Sequence, residues 1–320
     1  MAGALQSIRI ASKRSGLSTH VIRVWEKRYG AVTPQRTGTN RRLYSGDEIE
    51  RLTLLRLVTA AGHTISNVAQ LSTPELRSLA ETEASAPLEQ LTPLKTAGLP
   101  KPAQEYVDAA IAATQALDGD GLERLLNRAV VEVGQTALLH HILVPLIEEI
   151  GRLWHEGELR AAHEHVATAV IRTFLGGYTR AHSVNESSPG LLVTTPAGQL
   201  HELGAILAAA TATIHGWKVT YLGPSLPAEE IAGAALQNKA RAVALSLVYP
   251  EDDPNLSAEL RRLRRLLPAE VALLVGGRAA HSFAPVIEEL GATLLVDLPG
   301  LGAALDRLRK PRRGKESGKA

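Results

Sequence analysis

The sequence predicts a multidomain chain, α-helical through its first half and α/β in its second, where a doubly wound parallel sheet closes the fold. Three observations predict it. From Leu191 to Val296 short β-branched runs alternate with Ala/Leu-rich helical segments, the pattern of βαβ units. From Ala103 to about His182 apolar residues recur with helical period and only short breaks. Charge is also segregated: residues 1–60 hold 11 Lys/Arg against 4 Asp/Glu, so a net charge of +2 hides a basic amino-terminal module on a mildly acidic body. Such a module alone calls for a polyanionic partner.

Composition sets outer bounds. A chain of 320 residues with 45% hydrophobic content has room for two or three domains. No run approaches the roughly 20 consecutive apolar residues of a membrane span. The amino terminus carries no apolar segment with a small-residue cleavage site, so a cytoplasmic location is expected. Zero cysteines exclude disulfides, thiolate catalysis and zinc fingers, which leaves the 11 histidines as the strong soft-metal ligands.

Taken in order, Ile8–Arg14 can form a short helix, Gly16 breaks it, and Ser18 or Thr19 can cap a second helix over Val21–Tyr29, which is helix-turn-helix spacing. Val21, Val24 and Trp25 make an apolar seam at i, i+3, i+4, with Trp25 assigned to core packing. Arg23, Lys27 and Arg28 fall on other faces, where taken alone they read as a solvated surface. Downstream, Pro34 to Ser45 gathers turn-formers and the arginines Arg36, Arg41 and Arg42 ahead of Tyr44, and Ser45-Gly46-Asp47-Glu48 opens another helix.

The motifs Arg23-Val24-Trp25-Glu26-Lys27-Arg28-Tyr29-Gly30 and Asn40-Arg41-Arg42-Leu43-Tyr44-Ser45 resemble those of the MerR family, over roughly residues 7–75. The resemblance implies a winged helix-turn-helix that binds double-stranded promoter DNA. Arg23, Lys27 and Arg28 would belong to the recognition helix in the major groove, and Arg36, Arg41, Arg42 and Tyr44 to the wing. Phosphate contacts would dominate affinity and make it salt-dependent. The module is expected over 1–83, followed by a Pro-rich linker over 84–102 in place of the long dimerisation helix usual in MerR activators. Oligomerisation is therefore expected to use another surface.

Helical segments at Tyr106–Leu117, Gly121–Val133, Gln135–Leu153 and Arg160–His182 predict a four-helix bundle over 103–185. Trp154, His155, His163, Glu164 and His165 gather where the third helix ends and the fourth begins. By clustering alone this is a metal site, a ligand cap or a solvated corner.

The third region, 186–308, has strands near 191–195, 218–223, 242–248, 271–277 and 292–297, and a Pro/Gly/Lys-rich basic tail follows over 309–320. His201 lies between the first strand and its helix, at the carboxyl edge of the sheet, where open α/β sheets bind ligands. By position it is either a solvated loop residue or a ligand. Gln199-x-His201-x-x-Gly204 resembles the Asp/Glu-x-His-x-x-Gly signature of cobalamin-binding domains. Ser246-Leu247-Val248 and Val275-Gly276-Gly277 stand at later strand ends as in that family, and Trp217 to Gly223 with Pro227 is similar to its second strand and loop. The resemblance implies a Rossmann-like cobalamin-binding domain with His201 as lower cobalt ligand. Gln199 stands where an acid is usual and is expected to orient His201 by accepting a hydrogen bond without supplying charge.

Trp154 followed, after nine intervening residues, by Glu164-His165 resembles the Trp-x9-Glu-His motif of CarH/LitR-type photoreceptor repressors. That resemblance implies adenosylcobalamin under the bundle, with Trp154, Glu164 and His165 bordering the adenosyl group. By the same resemblance His155 would become a second cobalt ligand after photolysis. It implies a homo-oligomer, a tetramer, that represses in the dark and dissociates in light, without membrane attachment and without enzymatic turnover. Two alternatives stand beside it: a light-independent sensor of cobalamin or another tetrapyrrole, and a corrinoid methyl-carrier.

Overall fold

A computed structural model describes residues 5–17, 19–38, 41–61, 63, 65–84, 101–181 and 188–309. Apart from their edges, the expected linker and the expected basic tail lie outside those residues. The chain divides into two compact units, 1–174 and 175–320.

The first unit begins with β1 (Gln6–Ser7), α1 (Ile8–Ser15) and α2 (Thr19–Tyr29). Gly16 takes φ +74° and caps α1 in the left-handed region, where a side chain is disfavoured. Then come β2 (Gln35–Arg36), β3 (Arg42–Tyr44) and α3 (Gly46–Ala60). Ser45 starts α3 with a capping box: its hydroxyl accepts from the Glu48 N–H at 3.2 Å, and the Glu48 carboxylate accepts from the Ser45 N–H at 2.8 Å. Short α4 (Ile65–Val68) and α5 (Thr73–Ala84) complete the module. The wing has three strands where two are expected, in the antiparallel order β1-β3-β2 with Gln6 opposite Tyr44 and Gln35 opposite Leu43. Two residues of strand are too short to show any period, which is why β1 escapes a sequence reading.

The bundle follows as α6 (Lys101–Gln115), α7 (Gly119–Ala137), α8 (Val144–His155) and α9 (Ala161–Ala181). The single third helix expected over Gln135–Leu153 is in fact the end of α7, a π-helical turn at Leu138–Leu143, and α8. Proline has no N–H for the α-helical ladder, and just before Pro145 the Val144 N–H reaches back five residues to the Leu139 carbonyl. Within α7, Gly134 breaks the helix at φ +82°. A Cβ there would stand 3.2 Å from Thr59 Oγ1 and 4.0 Å from Trp25 Cζ2. Glycine thus lets the helix-turn-helix approach: α2, α3 and α4 all pack on α7. Fully buried Trp25 donates its indole N–H to the Val131 carbonyl at 2.7 Å.

The helical run Gly119–His155 is, among the described residues, the stretch long and apolar enough to cross a membrane, and 67% of its apolar window is buried inside the fold. Its apolar side is the bundle core, built on Leu122, Leu126, Leu138, Leu139 and Leu146.

The second unit is a five-stranded parallel sheet of β4 (Gly190–Thr194), β5 (Lys218–Tyr221), β6 (Ala242–Ser246), β7 (Ala272–Gly276) and β8 (Thr293–Leu294), in the order β5-β4-β6-β7-β8. Leu192 pairs in register with Thr220 on one side and Val243 on the other. Alternation along β4 sends Leu191 and Val193 to one core with α10 (Leu203–Ile214) and α14 (Leu298–Arg309). Leu192 goes to the other core, with α11 (Ala228–Gln237), α12 (Leu256–Leu266) and α13 (Ala284–Glu289). Because the chain leaves β4 for β5 on one side and returns to β6 on the other, strand order reverses between β4 and β6. A crevice opens at such a switch point outside the carboxyl ends of the strands.

Candidate functional site

At that switch point the β4–α10 connection carries Gln199 and His201, and β6 ends in Ser246. Thr195 ties the connection down: its hydroxyl donates to the Gln199 carbonyl and accepts from the Ser225 N–H at 2.8 Å. His201 is exposed, and its ring meets Tyr249 edge-to-face, with centroids 5.8 Å apart at 79°. Next to it, the Glu202 carboxylate accepts from the Tyr221 hydroxyl at 2.5 Å, which joins the start of α10 to β5.

Behind His201 the edge is shaped by small residues. The Ser246 hydroxyl is buried and, among the described residues, has no hydrogen-bond partner. A Cβ on Gly204, in the first turn of α10, would lie 2.6 Å from that hydroxyl and 3.9 Å from Val248 Cγ2. Gly277 follows β7 at φ +99°, and a Cβ there would fall 2.3 Å from the Leu247 carbonyl oxygen. Gly276 is less crowded: its Cβ would meet Leu295 Cβ at 3.2 Å. Leu247 and Ala279 use the space so kept, since the Leu247 N–H bonds Gly276 and the Ala279 N–H bonds Leu247, at 2.8 and 3.0 Å. The result is a closely packed edge of backbone and one unanswered hydroxyl, on the same side of the sheet as the connection that carries the exposed imidazole. At a sheet edge where ligands bind, such a hydroxyl is a bond that a polar ligand can complete.

One expectation is corrected here. Gln199 is fully buried and does not bond His201. Its Oε1 accepts instead from the Val248 and Tyr249 N–H groups at 2.9 and 3.0 Å, and its amide nitrogen donates to the Pro250 carbonyl at 3.3 Å.

In the first unit, Trp154 is half exposed near the end of α8 and His155 ends that helix, exposed. At the start of α9, His165 Nδ1 lies 2.6 Å from the Glu164 carboxylate, whose other oxygen accepts from Thr168 at 2.8 Å. The His163 ring accepts from the Arg160 N–H at 3.0 Å. Glu164 and His165 are thus brought together. Among the described residues no hydrogen bond, ion pair or ring contact joins them to Trp154 or His155, and no group of three metal-ligating side chains assembles anywhere.

The helix-turn-helix keeps Arg23, Lys27 and Arg28 exposed along α2, with the Arg28 guanidinium 5.5 Å from the Tyr29 ring centroid. Arg41 is exposed on the wing, its N–H on the Thr37 hydroxyl at 3.1 Å. Glu26 was passed over as a functional residue, yet the wing hangs on it. It accepts from Arg42 at 2.6 Å, from Arg36 at 3.4 Å and from the Tyr44 hydroxyl at 3.4 Å. A lone acid inside a run of arginines is the sequence signal that could have found it. Tyr44 is fully buried, so it anchors the wing from inside and is not a surface DNA contact. Burial first, and the Glu26 charge second, push its hydroxyl up to about 12. The Glu26 hydrogen bond raises Arg42 above its ordinary range.

Comparison with known proteins assigns the same three parts. Residues 7–73 match the MerR HTH family regulatory proteins, and residues 106–176 and 189–296 each match a B12 binding domain. The HTH-type transcriptional repressor CarH of Myxococcus xanthus is 31% identical over 91% of this chain and 94% of its own. CarA of the same organism, also an HTH-type transcriptional repressor, is 30% identical over 89% of this chain and 91% of its own. Among solved structures, the monomethylamine corrinoid protein of Methanosarcina barkeri shares the fold of 64% of this chain and 99% of its own, at a TM-score of 0.51 and 19% identity.

Proposed function

This chain belongs to the family of MerR-type transcriptional repressors with cobalamin-binding domains, alongside CarH and CarA, and on that premise we propose that it is an adenosylcobalamin-dependent, light-responsive repressor. It is a regulator and not an enzyme, cytoplasmic, and bound to double-stranded operator DNA in the dark as a homo-oligomer, a tetramer.

The observation that supports this most is the sheet edge: an exposed His201 on the connection into α10, and a buried Ser246 hydroxyl, unpartnered among the described residues, that only a glycine at 204 lets stand so close to that helix. Those residues fit a corrinoid. His201 would hold cobalt from below through a neutral ring nitrogen. Ser246, Val248 and Gly204 would take the nucleotide tail, with Gly276 and Gly277 at its margin. From the first unit, Trp154, Glu164 and His165 would border the adenosyl group, and His155 is the candidate upper ligand once that group has gone. When bound, adenosylcobalamin supplies a cobalt–carbon bond that visible light breaks. Arg23, Lys27 and Arg28 would face the major groove, and Arg36, Arg41 and Arg42 the phosphates. Tethering several such modules raises affinity by ~100- to 10,000-fold over one, so an oligomer that falls apart releases its operator.

The test is a visible spectrum, size-exclusion elution and operator gel shift on the full chain with adenosylcobalamin, before and after green light. The expected result is a coloured, oligomeric, DNA-bound protein in darkness that loses oligomer and DNA on illumination, with an altered spectrum in His201→Ala. Protein that stays colourless after desalting overturns the cofactor assignment. A second reading, a light-independent sensor of cobalamin or another tetrapyrrole, draws on Gln199, whose amide is committed to residues 248–250 and offers His201 no carboxylate. Coloured protein whose DNA affinity ignores light selects it.

A further inference from the structure

We infer that Gln199 is a positioning residue that fixes the Val248–Pro250 turn and through it seats the Tyr249 ring against His201, so that an aromatic neighbour, and not a carboxylate, orients the imidazole. The inference rests on the reading of His201 as the cobalt ligand.

The amide at 199 is matched to its surroundings atom by atom. Its oxygen meets two N–H groups, those of Val248 and Tyr249, and its nitrogen meets one carbonyl, that of Pro250. Those three bonds account for both oxygen lone pairs and one of the two amide hydrogens. The reversed amide would point donors at donors, so the hydrogen-bond pattern itself fixes the orientation. A carboxylate in the same place could accept from Val248 and Tyr249, but its second oxygen would then face the Pro250 carbonyl. Glutamine answers all three groups and an acid answers two.

The consequence reaches His201 through Tyr249. That side chain is 58% exposed, which by itself would leave it free to turn. Its backbone, however, is held by Gln199 on one side and continues from β6 through Leu247, which is bonded to Gly276. The ring therefore starts from a fixed Cα, and it lies across the His201 ring in the edge-to-face arrangement that aromatic quadrupoles favour. Ligating histidines are ordinarily held by a hydrogen bond from the second ring nitrogen to an acceptor. Here the Gln199 oxygen that could have served is occupied elsewhere, and ring packing takes over the task of orientation.

The test uses the full chain with isotope-labelled histidine, free of cofactor and then with adenosylcobalamin in darkness. Parent protein should show His201 ring protons displaced by the Tyr249 ring current. Tyr249→Ala, at an exposed position, should fold normally and lose that displacement; Tyr249→Phe should keep it. Gln199→Ala and Gln199→Glu should lose it in part. With cobalamin added, the fraction ligated through imidazole, read from the visible bands, should fall in Tyr249→Ala and be restored in Tyr249→Phe. His201 signals identical in parent and Tyr249→Ala overturn the inference even if the protein colours normally. A parent that never colours overturns the cobalt-ligand reading instead, whatever the ring protons do.

Discussion

Around Glu26 in the amino-terminal module polar groups answer one another, whereas around Ser246 at the sheet edge they do not. One carboxylate satisfies Arg36, Arg42 and Tyr44, and the wing is held to the recognition helix before any DNA arrives. At the other place, among the described residues, a hydroxyl is buried without a partner, glycines let neighbouring groups approach closer than a side chain would allow, and an imidazole faces solvent. The difference separates two kinds of binding. A reader of DNA profits from a surface already set, because ordering costs are met during folding. A receptor for a large polar cofactor must leave bonds unmade for the cofactor to make, at a cost to the free protein of about 1–3 kcal/mol for each such group.

The largest test of that contrast puts a methyl group where two stretches of backbone meet. Gly277→Ala should destabilise the protein by more than about 3 kcal/mol, since a disfavoured φ and a backbone clash add together. Calorimetry reads the loss, and an unchanged melting temperature would show that the Leu247 backbone yields to a side chain at 277. Glu26→Ala acts on the answered region and should cost about 1–3 kcal/mol and weaken operator binding, because it takes the carboxylate from the Arg42 guanidinium and a buried phenol at once. If Glu26→Ala binds DNA as tightly as the parent, the wing does not depend on that anchor. Arg41→Ala, which removes an exposed arginine bound through its backbone to Thr37, should lower DNA affinity by about 1 kcal/mol and the salt slope by about 1, with no change in cobalamin uptake. The smallest effect on stability sharpens the comparison most. Ser246→Ala should change the cofactor-free melting temperature by less than the equivalent of about 0.5 kcal/mol, or raise it, while reducing cobalamin affinity. A marked drop in the free protein would mean that this hydroxyl already had a partner.

Much of this was legible in the sequence, and the limits have physical causes. Strand and helix alternation located all five strands of the sheet, because buried parallel strands are near-continuous apolar runs. His201 could be placed at a strand-to-helix turn because Leu191–Thr194 and Leu203–Ala210 differ sharply in propensity. What stayed hidden depended on partners far along the chain. The three hydrogen bonds of Gln199 join residues about fifty positions apart, and nothing in its neighbours announces them. Tyr44 looked like a surface aromatic beside arginines, and only the fold buries it. The break at Gly134 was visible as a gap between two helices, but the reason for it, the approach of Thr59 and Trp25, was not.

The chain contains three tryptophans, and their surroundings make them an optical gauge. Trp25 and Trp217 are fully buried while Trp154 is half exposed. With Trp154 and Trp217 replaced by phenylalanine, emission would come from Trp25 alone, whose N–H is fastened to Val131 across 106 residues of sequence. Separation of the DNA reader from the bundle would wet that indole and move its fluorescence to the red. Trp25 thus supplies, without any attached dye, a signal for whether the two halves of the first unit stay together as an operator is titrated in.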